Sequence, residues 1–259
     1  MARLFYDFVF AAMMVIFYGG ALIPAVGLVH LVGERFPWPA VAAAAPVAYL
    51  LFLLTLVLLL GGARLILPRI KPGKHPLPAS PGVVIWMLHL SLQRLANNGL
   101  IKDSLFYFNG LRTLYLKLMG ARVPLECNIS GNVNLMDLSL LKIGKGSTIG
   151  SGVAIFGHFL VGKALVLREN RIGEKVLVGA YTKVAPGLTA GDRVFIGAAC
   201  NIGNDVEIGA GARIEGGTDV LPKTIIAPGE RWGGRPARRL DEAPTPCPES
   251  SSSPAPPEQ

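Results

Sequence analysis

A β-solenoid preceded by a transmembrane helical hairpin is the fold class this sequence predicts. Three observations predict it. A hydrophobic repeat with a period of six runs from Ile143 to Ile226. Two uncharged apolar runs stand ahead of it, each long enough to cross a bilayer. After it comes a proline- and serine-rich tail with almost nothing to bury.

The repeat is the strongest of the three. Ile143, Ile149, Ile155, Val161 and Leu167 are spaced by six, and a step of five leads to Ile172. Val178, Val184, Ala190, Ile196, Ile202, Ile208, Ile214, Val220 and Ile226 then resume the spacing of six. Glycine often follows, as at Gly144, Gly150, Gly173, Gly179, Gly191 and Gly197. Four places after the aliphatic residue a small or branched one recurs, such as Ser147, Val153, Thr182, Cys200 or Thr218. A period of six is neither helical nor simply alternating; it marks a short strand plus a corner. The aliphatic side chain points inward, and the glycine takes corner dihedrals that a Cβ would oppose. Three such hexads close a triangular coil, so equivalent residues of successive coils stack about 4.8 Å apart.

The N-terminal third accounts for the apolar composition. The chain has 259 residues, 51% hydrophobic and 16% charged, with a mean hydropathy of +0.46. That is too apolar for an ordinary cytosolic protein. Residues 8–32 contain no charged residue, and residues 41–63 contain nothing polar beyond Tyr49 and Thr55. Pro24 and Pro46 are tolerated inside membrane spans. The first run exceeds a signal-peptide core and is followed at once by the second, so the pair reads as an uncleaved hairpin. Its link, residues 33–39 (GERFPWP), carries a single Arg, whereas Arg64, Arg69, Lys71 and Lys74 follow the second run. The positive-inside rule then places both termini and the repeat in the cytoplasm, at the inner membrane. Tyr6 and Trp38 suit interfacial positions.

A formal net charge of +8 beside a membrane points to anionic lipid before nucleic acid, for which no motif appears. Cys127, Cys200 and Cys247 are odd in number and show neither disulfide nor metal spacing.

Between hairpin and repeat lie three segments. Residues 68–81 (PRIKPGKHPLPASP) are too proline-rich for a helix and read as an extended basic strap along the headgroups. Residues 83–95 read as an interfacial helix or one packed on the spans. Residues 105–119 read as one amphipathic helix, apolar at Leu111, Leu114, Tyr115 and Leu118, with Arg112 and Lys117 elsewhere on the cylinder and Gly120 as C-cap. Residues 123–141 are imperfect first hexads, two residues out of step with Ile143. The chain thus divides into a hairpin (1–67), a strap with amphipathic helices (68–122), a solenoid (123–240) and a disordered tail (241–259).

These hexads resemble the hexapeptide-repeat acyltransferases, whose fold is a left-handed parallel β-helix. The closing Gly234-Arg235-Pro236-Ala237 is similar to the G-x-P-A segment that follows the helix in that superfamily. Two spans, then residues 69–77 (RIKPGKHPL), then residues 116–121 (LKLMGA), resemble the membrane-anchored domains at the C-terminus of ε-polylysine-type peptide synthetases and their stand-alone relatives. The resemblance covers roughly residues 1–240. It implies an acyl-CoA co-substrate with no bound cofactor, a homotrimer with sites between subunits, and a catalytic histidine.

Acyl transfer from a thioester needs a base, and histidine titrates near working pH. His30 falls in a span, His75 in the strap and His89 in the interfacial helix; His158 alone lies in the repeat. Carried through the five-residue step, the register puts His158, Lys175, Arg193, Gly211 and Gly229 in one corner column. Lys175 and Arg193 would hold an anionic acceptor or the phosphates of coenzyme A, or else form a solvated basic edge. Lys223 and Arg235 are further candidates for the nucleotide end. One repeat histidine is too few for the zinc site of a γ-type carbonic anhydrase. No nucleotide-binding fingerprint precedes the repeat, which excludes a nucleotidyltransferase. The function expected is transfer of an acyl group, acetyl in the plainest case, to a hydroxyl or amine acceptor. The rival is a non-catalytic trimeric scaffold holding a partner enzyme at the membrane.

Overall fold

The structure, a computed structural model, describes residues 2–78 and 80–240, and the expected disordered tail lies outside them. Helices α1 (Ala2–Gly33) and α2 (Trp38–Ile66) form an antiparallel hairpin. Both are long and apolar enough to cross a membrane. Phe8, Ile23, Trp38 and Ile66 are among the apolar side chains they expose. The half of α2 leading to the solenoid is packed instead, with Leu53, Leu56, Val57 and Leu60 fully buried.

The strap is extended, as its prolines require, and Gly73–Pro76 forms a strand, β1. Helix α3 (Pro81–Ala96) follows. Tyr18 in α1 donates to the Leu95 carbonyl at 2.7 Å, which ties α3 to the hairpin. The single helix expected over 105–119 is two, α4 (Gly99–Tyr107) and α5 (Asn109–Leu118), broken where Phe108 is extended. Tyr49 and Ser104 bond through their hydroxyls at 2.8 Å, setting α4 well up the hairpin. Gly120 closes α5 with φ +98; its N–H bonds Lys117, and the Ala121 N–H bonds Leu116. Arg112 is buried rather than placed off the apolar face. It donates to the carbonyls of Cys127 and Ile129 at 3.0 and 2.8 Å, covering the open edge of the first coil.

From Asn128 the chain winds a parallel β-solenoid of three faces. Strand β2 (Asn128–Ile129) opens face two and β3 (Asn134–Leu135) face three. A 3-10 turn, Leu138–Leu140, leads into β4 (Leu141–Ile143) on face one. Next come β5 (Thr148–Ile149) on face two and β6 (Ala154–Ile155) on face three. The hexad residues point inward as expected: Ile149, Ile155, Val178, Val184, Ile196 and Ile214 are 0–1% exposed.

The step near Leu167 is not a shortened corner. After Ile155 the chain leaves the coil as an antiparallel hairpin of β7 (His158–Val161) and β8 (Ala164–Leu167), returning at β9 (Asn170–Ile172) on face one. Ile172 therefore stacks on Ile143, and Val178 on Ile149. Val161 and Leu167 are hairpin residues, not rungs. Strand β1 pairs with β8, Gly73 opposite Leu167 and Pro76 opposite Ala164. Val83, Leu140, Leu165 and Leu167 form a second small core beneath this three-stranded sheet.

The glycines after the rungs have a different reason from the one expected. Positive φ lies two residues further on, at Gly146, Gly152 and Gly211, but also at Lys175, Tyr181, Arg193, Ala199, Asp205 and Lys223. Such a conformation costs a non-glycine residue about 1–2 kcal/mol. Ala199→Gly, which deletes only a methyl at φ +54, should therefore raise stability by roughly 0.5–1 kcal/mol in denaturant melts, after the entropy of glycine is subtracted.

His89 of α3 is buried, its Nε2 bonded to the Pro68 carbonyl at 3.0 Å. Burial pushes its pKa below the ordinary value; the Pro68 carbonyl opposes this and Arg64 adds to it. Below about pH 6.5 the unfolded chain then takes up a proton that the folded chain refuses, and stability falls toward the depressed folded pKa. Thermal melts from pH 7.5 to 5 should fall more steeply for the wild type than for His89→Gln.

Candidate functional site

Both interruptions of the repeat fall on one edge. From Leu135 to Ile143 the chain takes eight residues where six would serve, and from Ile155 to Ile172 it takes seventeen. Each detour lies between face three and face one, one coil above the other. The lower one carries Asp137 and the upper one begins with His158.

These two residues meet. The Nδ1 of His158 is 2.6 Å from Oδ2 of Asp137. A carboxylate only accepts, so Nδ1 carries the proton and Nε2 is left to face outward. The Gly157 N–H donates to the same oxygen at 3.0 Å, and the Trp86 indole N–H donates to Oδ1 at 2.7 Å. Trp86 comes from α3, outside the solenoid, and its ring lies 4.9 Å from the imidazole. The Asp137 side chain is 1% exposed and that of His158 23%, so a buried carboxylate orients an imidazole that solutes can reach.

The local backbone serves this arrangement. Asp137 sits at φ +55, which turns the chain into the 3-10 turn. Gly157 has no room for a side chain, since a Cβ there would stand 2.8 Å from Cβ of Asp137. At the neck of the hairpin, Arg168 N–H bonds the Gly157 carbonyl at 2.9 Å. Buried Asn170 donates to the Phe156 carbonyl at 2.7 Å and accepts from Leu188 N–H at 2.9 Å, stitching the detour to the coil above.

Lys175 and Arg193 do not share His158's column. They lie between faces one and two, above Gly146 and below Gly211 and Gly229. The inserted hairpin displaces the register by eleven residues, the difference between seventeen and six. Above His158 on its own edge stand Gly187, Asp205 and Lys223. Asp205 is paired with Arg168 at 3.3 Å. Arg235 lies beside face three, donating to Gly217 and 3.8 Å from Asp219. Among the described residues no group of three or more His, Cys, Asp or Glu could hold a metal.

The sequence singles out His158 as the candidate and gives neither Asp137 nor Trp86, the two side chains against it. The two-residue offset before Ile143 was the available signal for Asp137. For Trp86 there was none.

A three-faced coil of hexads, broken at one edge by a His–Asp pair, defines a hexapeptide-repeat β-solenoid with a candidate acid–base site. Over 122 residues the chain is 30% identical to the UDP-3-O-acylglucosamine N-acyltransferase of Caulobacter sp. (strain K31), a match covering 43% of this chain and 35% of that protein. Over 123 residues it is 31% identical to mitochondrial gamma carbonic anhydrase 1 of Arabidopsis thaliana, covering 47% and 42%. A hexapeptide-repeat acetyltransferase of Vibrio cholerae, solved with acetyl coenzyme A, is 19% identical at a TM-score of 0.47, covering 63% of this chain and 90% of that one. No family model matches. The chain thus spans less than half the length of the curated relatives it matches.

Proposed function

We propose that the protein is a membrane-anchored acyltransferase that moves an acyl group, acetyl in the plainest case, from coenzyme A to a hydroxyl or amine acceptor. The His158–Asp137 pair carries this reading. With Nδ1–H held by Asp137, Nε2 of His158 takes the proton from the acceptor as the acceptor's oxygen or nitrogen attacks the thioester carbonyl. A C–O or C–N bond forms and the carbonyl becomes an oxyanion, held by backbone N–H groups. Its collapse breaks the C–S bond, and the imidazolium returns the proton to the departing thiolate. Asp137 steadies the imidazolium while it exists, as a buried carboxylate does for a catalytic histidine.

The edge above His158 suits the donor. Gly187 presents no side chain to a pantetheine arm, and Lys223 stands three coils up, about 14 Å away, where the phosphates would lie. Arg235 supplies a second cation near that end. Lys175 and Arg193 reach the site only from a neighbouring copy in a homotrimer, and it is there that we place them. The two apolar helices would anchor the protein, and the basic residues after α2 favour a cytoplasmic solenoid beside anionic lipid. The relatedness of the solenoid to an N-acyltransferase supports the reaction class. The similarity to a carbonic anhydrase is shared repeat, since this solenoid holds a single histidine.

The test is transfer of labelled acetyl from acetyl-CoA by the purified full chain to a membrane extract. Label is expected in the lipid-linked or polymer fraction. No transfer to any cellular fraction would favour the scaffold.

A further inference from the structure

The helical section does more than precede the solenoid; one of its residues completes the site. Asp137 has two carboxylate oxygens and three donors around them. Oδ2 takes both solenoid donors, Gly157 N–H and His158 Nδ1–H. Oδ1 points away from the coil and is held by Trp86 of α3. A partial rotation of the carboxylate about its Cβ–Cγ bond would swing Oδ2 away from Nδ1 and lengthen the bond to His158. The indole is the donor that opposes that rotation from outside the solenoid. Its ring also closes one side of the imidazole. Helix α3 is itself tethered in its C-terminal half, to the solenoid and to the hairpin. Gln93 donates to the Leu135 carbonyl, two residues before Asp137. Tyr18 of α1 holds the Leu95 carbonyl.

We propose that Trp86 is a positioning residue: through Asp137 it fixes His158 as the Nδ1–H tautomer, with Nε2 directed outward. The inference rests on His158 acting as the base, but its test does not. It follows that the solenoid alone lacks one of the three donors that hold Asp137, and that α3, seated between the hairpin and the coil, makes the geometry of His158 depend on the membrane-proximal helices.

The experiment is nitrogen NMR of the full chain labelled at histidine, in detergent above pH 7.5, with the His158 signals assigned by their loss in His158→Gln. Nitrogen shifts report which ring nitrogen bears the proton. The wild type should show Nδ1–H. Trp86→Phe keeps the ring against the imidazole and removes the donor; the ratio of Nδ1–H to Nε2–H should fall by roughly tenfold, as expected for loss of one hydrogen bond to a charged group. If Trp86→Phe does not fold, benzothienylalanine at position 86, which keeps the indole's shape without its N–H, makes the same comparison. An unchanged tautomer ratio in a folded variant overturns the proposal. A wild type in the Nε2–H form overturns it as well. If the tautomer shifts while His158→Asn transfers acetyl at the wild-type rate, the positioning stands and the catalytic reading of His158 fails.

Discussion

Acyl transfer by His158→Asn is expected to fall by about a hundred- to ten-thousand-fold, the usual contribution of a general base, with the melting temperature unchanged. Asparagine is the informative replacement. Its amide nitrogen occupies the place of ring Nδ1 and still donates to Asp137, while nothing stands where Nε2 was. The buried carboxylate keeps all three donors, so the loss reports the base and not the scaffold. His158→Ala should lose the same activity and also melt earlier. It leaves the 1%-exposed Asp137 short of one donor, at a cost of about 1–3 kcal/mol. Initial rates of thiol release from acetyl-CoA, read against thermal melts, separate the two variants. Transfer by His158→Asn at the wild-type rate would sink the proposed mechanism.

The solenoid was legible because its period is a one-dimensional property. Each rung needs an aliphatic residue whatever lies beside it, and the spacing survives being read without coordinates. The site was less legible for the same reason. A hairpin inserted after Ile155 carries apolar runs of its own, and eleven extra residues mimic two hexads less one. Val161 and Leu167 therefore filled the rungs of a coil they do not belong to, and the register delivered Lys175 to the wrong edge. Asp137 sat inside an offset that was visible in the sequence, but an offset says only that the chain detours, not where the detour points. The contact between Trp86 and Asp137 joins residues 51 apart on elements of different type, and no periodicity relates them. Arg112 reads as lying off the apolar face of its helix; the carbonyls that draw it inward belong to the first coil, 15 and 17 residues further on.

Gly179→Ala should destabilise the protein by about 3 kcal/mol, at the upper end of the usual overpacking cost, and lower Tm by roughly 10 °C. The sequence suggests that rung glycines are needed for their dihedrals, but the structure assigns them a steric role. Gly179 has no positive φ, yet a Cβ on it would stand 2.5 Å from Ala198 N and 2.5 Å from Gly197 C in the next coil. Neither neighbour can yield cheaply. Gly179 N–H is bonded to the Ile196 carbonyl at 2.7 Å, and Gly150 N–H is bonded to the Val178 carbonyl at 2.8 Å on the other side. Separating two coils to admit a methyl would stretch ladders that run along a whole face. Gly211 is the matched control, with φ +72 and nothing within 4 Å of its Cβ position. There alanine meets only the dihedral penalty, about 1 kcal/mol. Denaturant melts of the two variants decide between the accounts. A loss at Gly179 two or more times that at Gly211 makes coil-to-coil contact the reason glycine recurs after the rung. Equal losses would return the explanation to backbone conformation.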